Sequence, residues 1–149
     1  MRKNNQSVNI VVFGDGSDDL DMSDEDVELA EQGLDLFKEQ GINLSRSEGI
    51  CAVAEFRGEV VGAVTLGKSN EGGGFVYTFS CAVDDAWKRR GIARALVKIA
   101  VEVADENPMP HSFRVWVVNP YMVGLLEGMG FEEEHGGWSM DRPHMYKWS

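Results

Sequence analysis

Lys88-Arg89-Arg90-Gly91-Ile92-Ala93-Arg94 separates an apolar run that ends at Val83 from an apolar run that begins at Ala95. The pattern predicts a strand, a basic glycine-containing loop and a helix. The start of a helix exposes backbone N–H groups that have no intrahelical partner, and it carries the positive end of the helix dipole. We therefore expect this loop to bind phosphate. Gly91 and Ala93 are small, so they would let a phosphate approach the main chain.

The loop is basic in a chain that is otherwise acidic. The sequence has 25 acidic and 14 basic residues, a net charge of −11, and five of the 14 basic residues lie within residues 88–98. Nucleic acids are bound through a broad Lys and Arg face, so this balance argues against a nucleic-acid partner. One small cluster suits one small anion, and the alternative is a solvated basic turn that only caps a helix. The acidic residues concentrate within residues 15–31, which suits a cationic substrate or partner, or else a solubilising surface.

Length and composition predict one domain, residues 1–149, with a core of its own. No stretch approaches the roughly 20 apolar residues of a membrane span, so we expect a soluble protein without a membrane partner. Residues 1–6 are polar and contain no signal-peptide core. Cys51 and Cys81 lie within strand patterns and have no metal-ligand spacing, which indicates reduced thiols in a cytoplasmic protein and no metal site. A disulfide between them is the alternative.

Hydrophobic periodicity predicts alternating strands and helices along the whole chain. Helices follow Ser23, the basic loop and Asn119-Pro120. The predicted strands are 8–13, 50–56, 59–66, 75–83, 113–118, 131–134 and 144–148. This order predicts a mixed α/β domain with a mostly antiparallel sheet, and a parallel crossover around the central strand–loop–helix–strand unit.

Two motifs carry a resemblance to the GNAT superfamily of N-acetyltransferases, which transfer an acetyl group from acetyl-CoA to an amine. The stretch Val83-Asp84-Asp85-Ala86-Trp87-Lys88-Arg89-Arg90-Gly91-Ile92-Ala93-Arg94-Ala95-Leu96 resembles the family's pyrophosphate signature, with Lys88 where Gln or Arg is usual. Residues 119–131 resemble a second family pattern, which Asn119, Leu125, Gly130 and Phe131 fit. Leu126 occupies the place where the family commonly has the Tyr that protonates the departing thiolate. The resemblance covers nearly the whole chain and implies a GNAT fold with about seven strands and about four helices.

The resemblance also implies a binding site for acetyl-CoA as co-substrate. The main chain of Cys81, Ala82 and Val83 would pair with the pantetheine arm in a splayed gap beside the fifth strand, and the Cys81 N–H would polarise the thioester carbonyl. Asn119 would fix the CoA arm or the start of a helix. The loop residues expected to hold the pyrophosphate, through main-chain amides or side chains, are Lys88, Arg89, Arg90, Gly91, Ile92, Ala93 and Arg94.

The group that accepts the proton of the amine is open. Tyr77 and Cys81 share a face of the predicted strand 75–83, and Glu55 lies on a strand expected to be adjacent, so Tyr77 and Glu55 are candidate bases. His111 is a further candidate, and packing or surface exposure is the alternative for all three. Cys81 is either a covalent acetyl carrier or a buried structural thiol.

The predicted function is direct transfer of acetyl from acetyl-CoA to a primary amine within a ternary complex. The acceptor is a small molecule or a peptide, and the acidity of the chain favours a cationic one. A catalytically weak or inactive CoA-binding sensor of the same fold is the alternative, and a structural domain whose basic loop contacts an acidic protein is a third reading. The oligomeric state stays open, a homodimer included.

Overall fold

The secondary structure comes from a computed structural model that describes residues 8–14, 23–42, 44, 48–71, 74–107, 110–115, 120–134 and 137–142. Its helices are α1 (Asp24–Glu39), α2 (Ile92–Asp105) and α3 (Pro120–Gly128), and a short 3-10 helix covers Asp85–Trp87. Its strands are β1 (Asn9–Val12), β2 (Glu48–Phe56), β3 (Glu59–Glu71), β4 (Gly74–Thr78), β5 (Cys81–Val83), β6 (His111–Val115), β7 (Glu132–Glu134) and β8 (Gly137–Arg142).

The strands form one mixed sheet in the order β1-β2-β3-β4-β6-β8-β7, with β5 paired to β3. Among the described strands, β4 and β6 are parallel and every other pair is antiparallel. The crossover from β4 to β6 runs through the basic loop and α2, because parallel neighbours need a long connection. The predicted fold class, a mixed α/β domain with one parallel crossover, is confirmed.

Helix α1 begins where the sequence predicts. The Ser23 side chain accepts a hydrogen bond from the Asp26 N–H at 3.1 Å, and three acidic residues in the first turn suit the positive end of the helix dipole. Leu36 and Phe37 are buried on the inner side of α1. They belong to a core cluster with Val53, Ala63 and Ala82, so α1 covers one face of the sheet.

Helix α2 covers the opposite face, because successive residues of a strand point to opposite sides. Val64 and Val83 belong to its core cluster, whereas their neighbours Ala63 and Ala82 face α1. Gly62 lets the first turn of α2 sit close to β3, since a Cβ there would stand 2.9 Å from Ile92 Cγ2. The central strands are therefore buried on both faces, and the site must open at a strand edge or end.

One predicted strand differs from the structure, and another lies outside the described residues. The predicted strand 75–83 is divided into β4 and β5, which gives eight strands rather than about seven in the described chain. The last strand among the described residues is β8, and the predicted strand 144–148 lies outside them. The described residues contain three α-helices and one 3-10 helix, in agreement with the expected number of about four.

Candidate active site

The interruption between β4 and β5 falls opposite a buried threonine. The Thr65 hydroxyl accepts from the Ser80 N–H at 3.0 Å and donates to the Ser80 carbonyl at 3.4 Å, while the Thr65 N–H donates to that carbonyl at 2.9 Å. A side chain thus takes a position that a main-chain carbonyl would hold in a continuous ladder. β4 and β5 nevertheless keep one register against β3, from Gly67 opposite Thr78 to Gly62 opposite Val83.

The outer edge of β5 faces away from β3. The Ser80 carbonyl and the Asp84 N–H both bond to β3, the latter to the Val61 carbonyl at 2.8 Å. The main-chain N–H and C=O groups of successive residues point to opposite sides along a strand of an antiparallel pair. The main-chain groups of Ala82 therefore also point toward β3, and those of Cys81 and Val83 point away from it.

That outer edge has no strand partner in the described part of the chain. The parallel pairing of β4 with β6 is described up to Thr78 opposite Arg114, and β5 pairs with β3 alone. The main-chain N–H and C=O groups of Cys81 and Val83 therefore lie along an edge that pairs with no described strand. Residues 116–119, and with them Asn119, lie outside the described residues.

One side chain that sequence reasoning missed reaches this edge. Gln40, the C-cap residue directly after α1, donates from Nε2 to the Val83 carbonyl oxygen at 2.6 Å in a partly buried hydrogen bond. The contact joins residues 43 positions apart. No local sequence signal marks it, since it depends on where α1 lies against the sheet.

The basic loop follows β5 directly. Asp84 caps the 3-10 helix by accepting from the Ala86 N–H at 2.9 Å, and Gly91 is the N-cap of α2 with φ of +80°. Glycine adopts that left-handed conformation readily and has no side chain to occupy the first-turn N–H groups. A Cβ at Gly91 would meet nothing within 4 Å, so the loop leaves open space beside the start of the helix. This geometry suits a phosphate.

The charged side chains of the loop have distinct surroundings. Lys88 pairs with Asp85 at 2.9 Å, and the Arg90 guanidinium lies over the Trp87 ring at 4.9 Å. Arg89 and Arg94 are exposed. An exposed ion pair contributes little to stability, so Lys88 can exchange Asp85 for another anion.

Aromatic rings brace the loop against the β2–β3 hairpin. The rings of Phe56 and Trp87 are 4.9 Å apart, and Arg57 lies over Phe56 at 5.0 Å. With Arg90 over Trp87, the two rings lie between two cations, an arrangement that favours both contacts. The position of Arg90 is thus tied to the hairpin as well as to α2.

Ile92 and Ala93 contribute to the loop through their main chain. Both side chains are buried in the core on the α2 side of the sheet. The small Ala93 side chain packs in the core, and its expected role in letting a phosphate approach stays a prediction.

The Tyr77 hydroxyl, a candidate base, is engaged in a buried polar cluster. It accepts from Asn107 Nδ2 at 3.0 Å, and the ring meets His111 edge-on with centroids 5.4 Å apart. His111 Nε2 in turn lies 2.8 Å from an Asp105 carboxylate oxygen. Asn107 follows the last turn of α2, about 20 Å along the helix from Gly91. The structure therefore gathers Tyr77 and His111 at the end of α2 that is remote from the basic loop.

Glu55, the other candidate base, lies at a hairpin turn. Its carboxylate accepts from the Gly58 N–H at 2.9 Å and from Asn9 Nδ2 at 3.3 Å. β2 lies between β1 and β3, two strands away from β4. The expectation that its strand is adjacent to the strand of Tyr77 and Cys81 is wrong, because sheet order is set by the whole fold.

Cys81 has a half-buried side chain that packs against the core. Burial raises the pKa of the Cys81 thiol from 9.0 to about 12, so the thiol is neutral at physiological pH. The thiolate is the nucleophilic form, and the environment therefore disfavours a covalent acetyl carrier. Neither Cys51 nor Cys81 forms a disulfide in the described part of the chain.

Leu126 is fully buried in the core, so the position at which the family commonly has an acid holds an apolar packing residue. In the described chain, no three His, Cys, Asp or Glu side chains gather into a group that could hold a metal ion. The helices among the described residues are all too short or too polar to cross a membrane.

Several solved acetyltransferase structures have a fold similar to that of this chain. An N-acetyltransferase from Staphylococcus aureus Mu50 shares 16% identity, with 89% of this chain and 98% of that chain covered and a TM-score of 0.59. An aminoglycoside acetyltransferase from an uncultured soil metagenomic sample, solved with sisomicin, gives 15% identity, 89% and 94% coverage and a TM-score of 0.64. The protein yncA from Salmonella typhimurium, solved with acetyl-CoA, shares 13% identity. The match covers 91% of this chain and 94% of that chain, with a TM-score of 0.59.

At these identities the similarity concerns the fold. No curated protein sequence matches the chain. The family described as "Acetyltransferase (GNAT) family" matches residues 18–131, well over half of the sequence and inclusive of β5, the basic loop and α2. The chain belongs to the GNAT acetyltransferase family.

Proposed function

We propose that this protein transfers the acetyl group of acetyl-CoA to a primary amine, by direct attack within a ternary complex. The observation that carries the proposal is the outer edge of β5, where the main-chain groups of Cys81 and Val83 point away from β3. This edge continues into the loop that ends at Gly91. A strand edge followed by a helix N-terminus suits an amide-containing arm followed by a pyrophosphate.

The residues present fit acetyl-CoA. Val83 would pair with the amides of the pantetheine arm as a neighbouring strand does, and the first-turn amides of α2 would hold the pyrophosphate beside Gly91. Arg89, Arg90 and Arg94 are the cations nearest to that position along the chain, and Lys88 joins them when it leaves Asp85. Acetyl-CoA supplies an activated thioester when bound, and Asn119 stays a proposed contact.

The chemistry requires little from side chains. A neutral amine nitrogen forms a bond to the thioester carbonyl carbon, the C–S bond breaks, and its electron pair leaves with the CoA sulfur. The Cys81 N–H would stabilise negative charge on the carbonyl oxygen. The ammonium proton passes to water or to a base, and the thiolate takes up a proton. A thiolate is a good leaving group near neutral pH, so transfer without a tyrosine at position 126 is chemically feasible.

The acceptor is proposed to be a cationic amine in the cytoplasm. The chain carries a net charge of −11, which attracts cations, and one similar fold belongs to an aminoglycoside acetyltransferase solved with sisomicin. The thiols of Cys51 and Cys81, which form no disulfide, support a reducing compartment.

A second candidate function is a CoA-binding sensor with weak or no transferase activity. The burial of Leu126 favours it, because no acid stands at that position.

Two measurements in sequence test the proposal. Isothermal calorimetry should show saturable binding of acetyl-CoA, and absence of binding at millimolar concentration would overturn both functions. CoA release should then be measured across mono-, di- and polyamines, with a thiol reagent as the readout. Release that depends on the amine supports the transferase, and tight binding with no release above hydrolysis across the set supports the sensor.

A further inference from the structure

The Gln40 side chain occupies the part of β5 that the proposed function assigns to the cofactor arm. Its Nε2 lies 2.6 Å from the Val83 carbonyl oxygen, which points away from β3. An added strand places its N–H donors about 3 Å from such a carbonyl, with main chains about 4.8 Å apart. The Gln40 amide and a strand-like ligand amide are therefore donors to the same oxygen atom.

The two donors are also chemically alike. Gln40 offers a carboxamide N–H, and the pantetheine arm contains secondary amides with the same kind of N–H. Since the hydrogen bond of Gln40 is partly buried, it is shielded from competing water. A ligand that takes the Val83 carbonyl must break this bond, so its net gain in free energy is reduced by the value of the bond.

The side chain can leave without dismantling α1. The main-chain N–H of Gln40 closes the helix through the carbonyls of Leu36 and Phe37, at 3.2 Å each, and does not involve the amide. Rotation about side-chain bonds is sufficient to clear the strand edge. The exchange is thus local to one residue.

We propose that Gln40 is a built-in competitor of the cofactor arm, which occupies the Val83 carbonyl in the free protein, yields it to acetyl-CoA, and retakes it when CoA departs. This inference rests on the proposed function. It assigns to Gln40 a role in setting the affinity for acyl-CoA and the rate of CoA release, without contact to the reacting atoms.

Calorimetry on variants of residue 40 tests the proposal. Gln40→Ala and Gln40→Met both remove the donor, and Met keeps the length of the side chain. Each should bind acetyl-CoA about fivefold more tightly than the parent protein, as expected for one hydrogen bond. ADP, which has the pyrophosphate without the pantetheine arm, should bind all variants equally.

Gln32 supplies the matched control. It lies on the same helix, and its side chain also bonds to main chain, accepting from the Val60 N–H at 3.0 Å, away from the β5 edge. Gln32→Ala should leave the affinity for acetyl-CoA unchanged. Equal or weaker binding of acetyl-CoA by both Gln40 variants would overturn the inference, whereas absence of binding by the parent protein would overturn the proposed function itself.

The Gln40 side-chain amide provides a second readout in two-dimensional NMR. Its resonances are assigned by their loss in Gln40→Ala. They should shift on titration with acetyl-CoA and stay in place with ADP. Resonances that do not move at saturation with acetyl-CoA would show that the bond to Val83 persists, which would contradict the exchange.

Discussion

At the scale of single residues, Cys81 combines a main chain directed to the strand edge with a thiol packed against the core. The proposed chemistry uses the main-chain N–H, which any residue except proline retains. Cys81→Ala should therefore keep kcat/KM for the amine within about threefold. Steady-state kinetics checks this, and a loss of a hundredfold or more would instead identify the thiol as an acetyl carrier.

The raised pKa of Cys81 also makes a statement about stability. The folded protein favours the neutral thiol, so this contribution is fully present below pH 9.0 and is lost as the pH rises from 9.0 to about 12. Cys81→Ala removes the titration. In urea unfolding, the free energy of the parent protein should fall more steeply over that pH range than that of the variant.

Substitution of Gly91 can distinguish the effect of backbone strain on stability from an effect on ligand binding. A side chain at its φ of +80° costs about 1–2 kcal/mol of stability. Gly58 has a φ of +85°, and a Cβ at either position would meet no atom within 4 Å. Gly91→Ala and Gly58→Ala should therefore lower the free energy of unfolding by similar amounts.

Only Gly91→Ala should weaken acetyl-CoA binding, by about tenfold or more, because its Cβ would enter the space left for the pyrophosphate. Calorimetry and urea unfolding on the same two samples make the comparison. A similar loss of affinity in Gly58→Ala would show that strain alone is responsible.

At the scale of elements, the division of β4 from β5 depends on Thr65. Thr65→Val keeps the shape of the side chain but leaves the Ser80 N–H without its acceptor, which should lower the free energy of unfolding by about 1–3 kcal/mol. The affinity for acetyl-CoA should fall as well, since the hydrogen bonds between Ser80 and Thr65 fix the residue directly before β5. Thr65→Ser retains the hydroxyl and should keep more of the affinity than Thr65→Val, and the reverse order would assign the effect to packing.

Elements whose signals are local could be predicted from the sequence. Ser23 followed by acidic residues predicts the start of α1. Gly91 followed by apolar residues at helical spacing predicts the start of α2. The break at residues 79–80 could not be predicted, because Phe79 and Ser80 continue a strand pattern. Its cause is the side chain of Thr65, 15 residues before Ser80. The sequence predicts the wrong neighbour for the strand of Glu55, because strand order is not encoded locally. Gln40 reaches Val83 only through the packing of α1, so no motif could mark it.

At the scale of the whole molecule, the chain carries a net charge of −11, although five of its 14 basic residues lie within residues 88–98. Attraction between exposed charges is screened over about 10 Å at 0.1 M salt. If the acceptor is a polyamine, its KM should rise severalfold between low salt and about 0.5 M salt, because long-range attraction is lost. A monoamine acceptor should change much less, and an equal rise for both would argue against recognition by charge.

The open edge of β5 has a consequence beyond catalysis. Exposed strand edges can recruit strands from other molecules and so begin aggregation. β5 is three residues long, and Gln40 covers one of its outward carbonyls, so the free protein offers a foreign strand very little to pair with. The side-chain amide of Gln40 therefore also limits strand pairing between copies of this protein when no ligand is bound.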